Sequence, residues 1–137
     1  MRWAQAARAC FEAAIDYAKE RIVFGKPISV YQLTQQKLAE MALELNRGML
    51  VALHVGRMKD DGTLRQEHVS LGKMGNVRGA LEVCRSARTV LGGNGITLEY
   101  PVIRHMNNLE SVLTYEGTHE VHTLVVGNAL TGENAFR

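Results

Sequence analysis

The chain has 137 residues, of which 46% are hydrophobic, so we expect one domain over residues 1–137 with a buried core and too little chain for a second. Sixteen lysines and arginines against fourteen aspartates and glutamates leave a formal charge of +2 without a long basic run, which argues against nucleic acid as a partner. No apolar stretch approaches the roughly 20 residues of a membrane span, and MRWAQAARAC lacks the apolar centre of a secretory signal, so we expect a soluble, cytoplasmic protein with no membrane span.

Five segments of the chain carry apolar residues at the spacing of an amphipathic helix. They span residues 4–22, 30–58, 65–91, 101–110 and 121–129. FGKP ends the first pattern, the turn residues of KDDGT end the second, and the glycines of LGGNG end the third. Since no stretch alternates convincingly with period two, we predict an all-α fold, an antiparallel four-helix bundle with one short extra helix at 101–110.

The two cysteines, Cys10 and Cys84, have neither CxxC spacing nor the pattern of a disulfide framework. Both fall on the apolar stripes of their predicted helices. We therefore expect each to be a small residue of the core.

The segment TYEGTHE places one carboxylate, Glu116, between an aromatic ring and a glycine just before a predicted helix. The first turn of that helix would offer free backbone N–H groups, with Thr118 as its N-cap, and Gly117 would leave room for a ligand. A simpler interpretation is that Glu116 stabilises the positive end of the helix dipole by about 0.3 to 1 kcal/mol. Spacing alone does not decide between a functional and a structural carboxylate.

A metal site is a second possibility for the same segment. Glu116 and His119 form ExxH, one half of the motif of di-iron bundles, and His122 lies one turn further along. A di-iron site needs a second ExxH, which the sequence lacks. We therefore predict no metal.

Two further motifs are ambiguous when each is taken alone. LGGNG, with Gly92 and Gly93, is either a glycine stop for the preceding helix or a surface that a phosphate or flat ligand can approach. RIVFGKP contains Arg21 and Phe24, and its guanidinium could anchor a loop or bind a pyrophosphate.

Taken together and in this order, RIVFGKP, LGGNG and YEGTHE resemble the C-terminal helical domain of the flavin-dependent acyl-CoA dehydrogenases. The resemblance covers essentially the whole chain. Within that family VIRH, NLES, TYEGTHE and ALTGENAF are most similar to the glutaryl-CoA dehydrogenase branch.

The resemblance implies a catalytic role for Glu116, as the base that removes the α proton of an acyl-CoA thioester while flavin accepts hydride from the β carbon. A general base must be partly desolvated and within hydrogen-bond reach of the proton, and a glutamate beside Gly117 in a closed pocket meets both demands. In the family the backbone N–H of this residue also helps to hold the thioester oxygen. Tyr115 and Gly117 would line the substrate site.

The resemblance also implies FAD as cofactor, an electron-transferring flavoprotein as acceptor, and a homo-oligomer, a tetramer in the full-length enzyme. Arg21 and Phe24 match contacts from one subunit to the FAD of its neighbour. The full set of implied FAD contacts is Arg21, Phe24, Gln32, Gly92, Gly93, Thr118 and Glu120.

Members of the family also have an N-terminal helical domain and a middle β domain, which this sequence lacks. We therefore expect the chain to be one domain of the enzyme, which alone binds flavin poorly and does not turn over. The leading reaction is the oxidation and decarboxylation of glutaryl-CoA to crotonyl-CoA. The alternatives are a nondecarboxylating short-chain acyl-CoA dehydrogenase, a related oxidase, and a noncatalytic helical interaction module.

Overall fold

The computed structural model describes residues 2–136, apart from the side chain of Arg2, and it confirms the all-α class. Its α-helices are α1 (Arg2–Glu20), α2 (Gln32–Asp60), α3 (Gln66–Leu91), α4 (Val102–Thr114) and α5 (His119–Thr131). Helix α3 is central, because it packs against each of the other four helices. The two C-terminal helices are equal in length, with 13 residues each, and α4 continues four residues beyond the end predicted for the short helix.

A small hairpin between α1 and α2 was not predicted. Its strands are β1 (Ile22–Val23) and β2 (Lys26–Pro27), which pair antiparallel with Ile22 opposite Pro27. Phe24 and Gly25 form the turn, with φ of 51° and 77°, the left-handed pair that a tight two-residue hairpin requires. Two-residue strands are too short to produce an alternating pattern, and Ile22, which the helical pattern includes, belongs to β1 and is 55% exposed.

The core forms where α1 and α3 meet, and α1 contributes mainly small side chains. Ala7, Cys10, Ala14 and Ala18 are fully buried at spacings of three and four residues. Small side chains along one stripe allow two helices to pack closely. Larger apolar groups come from the other helices, among them Met41, Val83, Leu91, Val102 and Leu109.

Both cysteines are buried in this core, as predicted, and they are in contact. The thiol of Cys84 donates to the sulfur of Cys10 at 3.3 Å. This hydrogen bond and burial both raise the pKa of the Cys84 thiol. The two cysteines therefore pack as small core residues.

Among the helices described over residues 2–136, none combines the length and apolarity that crossing a membrane requires.

Candidate functional site

The loop that joins α4 to α5 holds Glu116 in an unusual backbone conformation. Helix α4 ends where the N–H of Tyr115 donates to the carbonyl of Ser111 at 3.0 Å. Glu116 and Gly117 then follow with φ of 54° and 93°, so both lie in the left-handed region. A non-glycine residue there costs on the order of 1 kcal/mol or more, and such strain clusters at functional sites. The side chain of Glu116 is exposed.

Gly117 is required by space as well as by its backbone angle. A Cβ at this position would lie 2.8 Å from Nε2 of His122, which is too close for a real contact. The imidazole is held in place on its other side, where Nδ1 lies 3.0 Å from Oγ of the buried Ser70. The loop therefore passes directly over a fixed side chain, and only glycine fits.

The sequence made the surroundings of His122 a possible metal site, and the described part of the chain shows no cluster of ligands around it. Residues 2–136 contain no group of three or more histidine, cysteine, aspartate or glutamate side chains that could hold a metal ion. The Nε2 atom of His122 is buried, and it has no hydrogen-bond partner within that range. Within residues 2–136, Glu116 and His119 of the ExxH motif therefore have no further metal-ligating side chains grouped with them.

Lys73, on α3, is a site residue that the sequence reasoning missed. Its ammonium group donates hydrogen bonds to the carbonyl oxygens of Tyr115 and Gly117, on both sides of Glu116. It lies one turn before Val77 on the buried stripe of α3. A lysine in register with a buried stripe is the sequence signal that could have found it.

Thr118 is the N-cap of α5, as predicted, because its Oγ1 accepts a hydrogen bond from the N–H of Val121 at 3.3 Å. Glu120 follows in the first turn. Its own backbone N–H and the hydroxyl of Thr118 both stabilise the ionised form and lower the pKa of the Glu120 carboxyl.

Thr118→Ala is expected to raise the pKa of Glu120 toward its ordinary value, because one of the two hydrogen bonds to the carboxylate is lost. A depressed pKa in the folded state means that Glu120 contributes stability above its unfolded value of about 4.3 and loses it as the pH falls through the folded pKa. Loss of the cap also lowers stability by about 1 kcal/mol. An NMR titration of the side-chain carboxyl measures the pKa, and Thr118→Ser, which keeps the hydroxyl, is the control. An unchanged pKa in Thr118→Ala would contradict the assignment.

Glu116 borders a largely apolar cavity of about 760 Å³ on the surface of the helical bundle. Tyr115 and Lys73 are part of the same wall, and the apolar lining includes Trp3, Val55, Val69, Gly72, Val77 and Val112. Because the carboxylate of Glu116 is exposed at this edge, a ligand can reach it.

The residues predicted at the hairpin and the glycine turn form a second group. Phe24 at the tip of the hairpin is 92% exposed, and it borders a cavity of about 240 Å³ together with Thr89 and Val90 from the end of α3. Gly92 and Gly93 follow directly. Arg21 precedes the hairpin, and Gln32 is the first residue of α2, next to Tyr31, which also lines this cavity.

Gly92 and Gly93, the two predicted glycines of the turn, differ from Gly95 in the space that surrounds them. Apart from their own chain neighbours, no atom of the described residues 2–136 lies within 4 Å of the point where a Cβ would stand on Gly92 or Gly93, so both border open space. A Cβ on Gly95 would lie 2.4 Å from the carbonyl oxygen of Arg88. Gly95 therefore serves the packing of the turn, whereas the first two glycines leave a surface free.

The structure does not bring all predicted site residues together within one chain. Tyr115 shares a cavity with Gln5 and Ala6 near the start of α1, whereas Asn94 of the glycine turn donates to the hydroxyl of Tyr17 at 3.1 Å near its end. Tyr17 lies twelve positions after Gln5 along α1, which corresponds to a rise of about 18 Å. The loop that carries Glu116, here called the carboxylate loop, thus lies near one end of α1, and the hairpin with the glycine turn lies near the other.

Residues 1–131 match the family model described as acyl-CoA dehydrogenase, C-terminal domain. A short-chain-specific acyl-CoA dehydrogenase of Megasphaera elsdenii is 33% identical over 124 residues, which are 90% of this chain and 32% of that protein. A glutaryl-CoA dehydrogenase of Desulfococcus multivorans is 32% identical over 121 residues, 88% of this chain and 31% of that protein.

Among solved structures, a glutaryl-CoA dehydrogenase from Mycobacterium smegmatis superposes with a TM-score of 0.95 and is 63% identical, covering 98% of this chain and 35% of that one. A second structure of a glutaryl-CoA dehydrogenase from this organism, in complex with FADH2, is 58% identical with the same TM-score, and it too covers 98% of this chain and 35% of that one. The chain thus spans about a third of the length of the relatives it matches. By its sequence and its fold, the chain belongs to the acyl-CoA dehydrogenase family and corresponds to the C-terminal domain of that family.

Proposed function

We propose that Glu116 is the catalytic base of a flavin-dependent acyl-CoA dehydrogenase and removes the α proton of an acyl-CoA thioester. The observation that carries the proposal is the backbone of Glu116, which is left-handed and places an exposed carboxylate at the edge of an apolar cavity. A general base must be accessible to the proton that it removes, and a substrate that fills the apolar cavity would exclude water from the carboxylate. Tyr115 and Gly117 border the substrate on either side of the carboxylate.

The residues that would hold FAD fit a dinucleotide. Gly92 and Gly93 leave open space that a side chain would fill, so a phosphate or a flat ring can approach the backbone there. Arg21 supplies a guanidinium for a pyrophosphate, and Phe24 supplies an exposed ring. When bound, FAD supplies the acceptor for the hydride that leaves the β carbon of the substrate.

The remaining residues proposed for FAD are Gln32 at the start of α2, and Thr118 and Glu120 at the start of α5. The distance between the two ends of α1 supports a site built from two copies of the chain. One copy would contribute the carboxylate loop, and its neighbour would contribute the hairpin and the glycine turn. The proposal therefore includes a homo-oligomer, a tetramer at native length, with an electron-transferring flavoprotein as acceptor.

For the substrate we propose glutaryl-CoA, which would be oxidised and decarboxylated to crotonyl-CoA. The support is the 63% identity with the glutaryl-CoA dehydrogenase of Mycobacterium smegmatis. The glutaryl-CoA dehydrogenase of Desulfococcus multivorans is 32% identical and the short-chain-specific enzyme of Megasphaera elsdenii 33%, so these two relatives do not separate the substrates. A nondecarboxylating short-chain dehydrogenase or an oxidase is the alternative, since relatives of the first kind also match most of the chain.

The experiment uses the polypeptide of native length that contains this chain, purified with its flavin. Glutaryl-CoA is expected to bleach the oxidised flavin and to release one carbon dioxide per crotonyl-CoA formed, and butyryl-CoA serves as the comparison substrate. If only butyryl-CoA bleaches the flavin and no carbon dioxide is released, the substrate is a short unbranched acyl-CoA and the proposal of glutaryl-CoA is wrong. Hydrogen peroxide formed in step with turnover would identify an oxidase.

A further inference from the structure

Lys73 is a charged residue in a position that favours apolar side chains. It is half-buried on α3, in register with the buried Val77, Leu81 and Cys84 at spacings of four, four and three residues. Removing an ammonium group from water is unfavourable unless hydrogen bonds replace its hydration. The partners of its side chain account for this position.

Those partners are two carbonyl groups of the loop that holds Glu116. The ammonium group of Lys73 donates to the oxygen of Tyr115 and to the oxygen of Gly117. Tyr115 follows the last residue of α4, where carbonyl groups have no partner within the helix and the helix dipole favours a cation. Lys73 thus replaces the hydration of its own charge and satisfies the end of α4 at the same time.

The two carbonyl groups mark the limits of the strained segment. The peptide that carries the Tyr115 oxygen precedes Glu116, and the peptide that carries the Gly117 oxygen follows Gly117. Between them lie the backbone angles of the two consecutive left-handed residues, with φ of 54° and 93°. A strained conformation persists only where its surroundings over-determine it. One ammonium group that fixes both limits meets that condition.

We propose that Lys73 is a positioning residue, which holds the backbone of Glu116 in the left-handed conformation and so places its carboxylate for proton removal. The catalytic part of this inference rests on the proposed function. The other hydrogen bonds of the loop lie outside the two left-handed residues: the N–H of Tyr115 donates to Ser111 before them, and Thr118 caps α5 after them. Loss of Lys73 is therefore expected to let the peptide between Tyr115 and Glu116 reorient and to displace the carboxylate with it.

The test compares Lys73→Met, which keeps the length of the side chain and removes its donors, with Lys73→Arg, which keeps a cation and N–H donors. Lys73→Met is expected to lower kcat for flavin reduction by about 10- to 10²-fold with little change in KM, because misplacement by about 1 Å costs that much. The isotope effect of α-deuterated substrate is expected to increase, since proton removal becomes slower relative to other steps. Lys73→Arg is expected to recover most of the rate.

Lys19→Met, at an exposed site in the last turn of α1, is the matched control for loss of a positive charge. Amide hydrogen exchange then measures how strongly Lys73 restrains the loop, independently of catalytic activity. In Lys73→Met the amides of residues 115–118 are expected to exchange faster, whereas the amides in the middle of α3 keep their wild-type protection.

Wild-type kinetics in Lys73→Met, or an equal loss in Lys73→Arg, would overturn the positioning role, the second because it indicates packing rather than hydrogen bonding. If no acyl-CoA bleaches the flavin of the wild type, the proposed function fails together with the catalytic part of this inference. The exchange of residues 115–118 still decides whether Lys73 holds the loop, so the two failures are distinguishable.

Discussion

Glu116→Gln is expected to lower the rate of flavin reduction by acyl-CoA on the order of 10²-fold or more in the polypeptide of native length. The substitution keeps the size and shape of the side chain but replaces the carboxylate by a neutral amide, which cannot accept a proton as a general base must. Within residues 2–136, Glu116 forms no ion pair or side-chain hydrogen bond, so the thermal stability of the variant is expected to equal that of the wild type. Rapid-mixing measurements of flavin absorbance give the rate.

The matched control is Glu110→Gln, the same change on the last turns of α4. Its carboxylate is exposed and lies 3.3 Å from a guanidinium nitrogen of Arg85, an ion pair of a kind that contributes about 0 to 1 kcal/mol. This variant is expected to reduce flavin at the wild-type rate. Equal rates in the wild type and Glu116→Gln would remove the base from the proposal. If acyl-CoA then reduces no flavin in either protein, the noncatalytic helical module becomes the preferred function.

The helices were predictable because burial imposes a period on the sequence. The helical pattern of 65–91 identifies α3 almost to the residue, since its apolar stripe and the glycines that end it are both local features. The contact of Cys10 with Cys84 was not predictable, because their 74-residue separation says nothing about which faces meet. The hairpin at Phe24 was missed because its strands are only two residues long.

The site divides in the same way into local and long-range features. Glu116 and the cap at Thr118 follow from the order of residues along a short segment, and the structure supports the cap directly. Lys73 lies 42 residues before Tyr115, so its hydrogen bond depends on the packing of α3 against the loop. The left-handed angle of Glu116 was equally hidden, because a glutamate carries no local preference for that region.

Substitutions in the glycine turn distinguish a packing role from a ligand-binding role, because Gly93 and Gly95 have different surroundings. Gly95→Ala is expected to destabilise the chain by about 3 kcal/mol, or roughly 10 °C in Tm, since the new Cβ would lie 2.4 Å from the carbonyl oxygen of Arg88 and 2.9 Å from its Cα. Those atoms belong to the backbone of α3, which cannot move aside as a flexible side chain would. Thermal unfolding followed by circular dichroism measures the loss.

Gly93→Ala, two residues away, is the matched variant, because its Cβ would point into open space and its φ is not left-handed. It is expected to unfold at the wild-type temperature and yet, at native length, to retain less FAD after gel filtration, because the new methyl group occupies the surface proposed for the dinucleotide. Equal stability of Gly95→Ala and the wild type would contradict the close packing of this turn on α3. Full retention of FAD by Gly93→Ala would remove the glycine turn from the proposed cofactor site and leave Gly95 with its structural role alone.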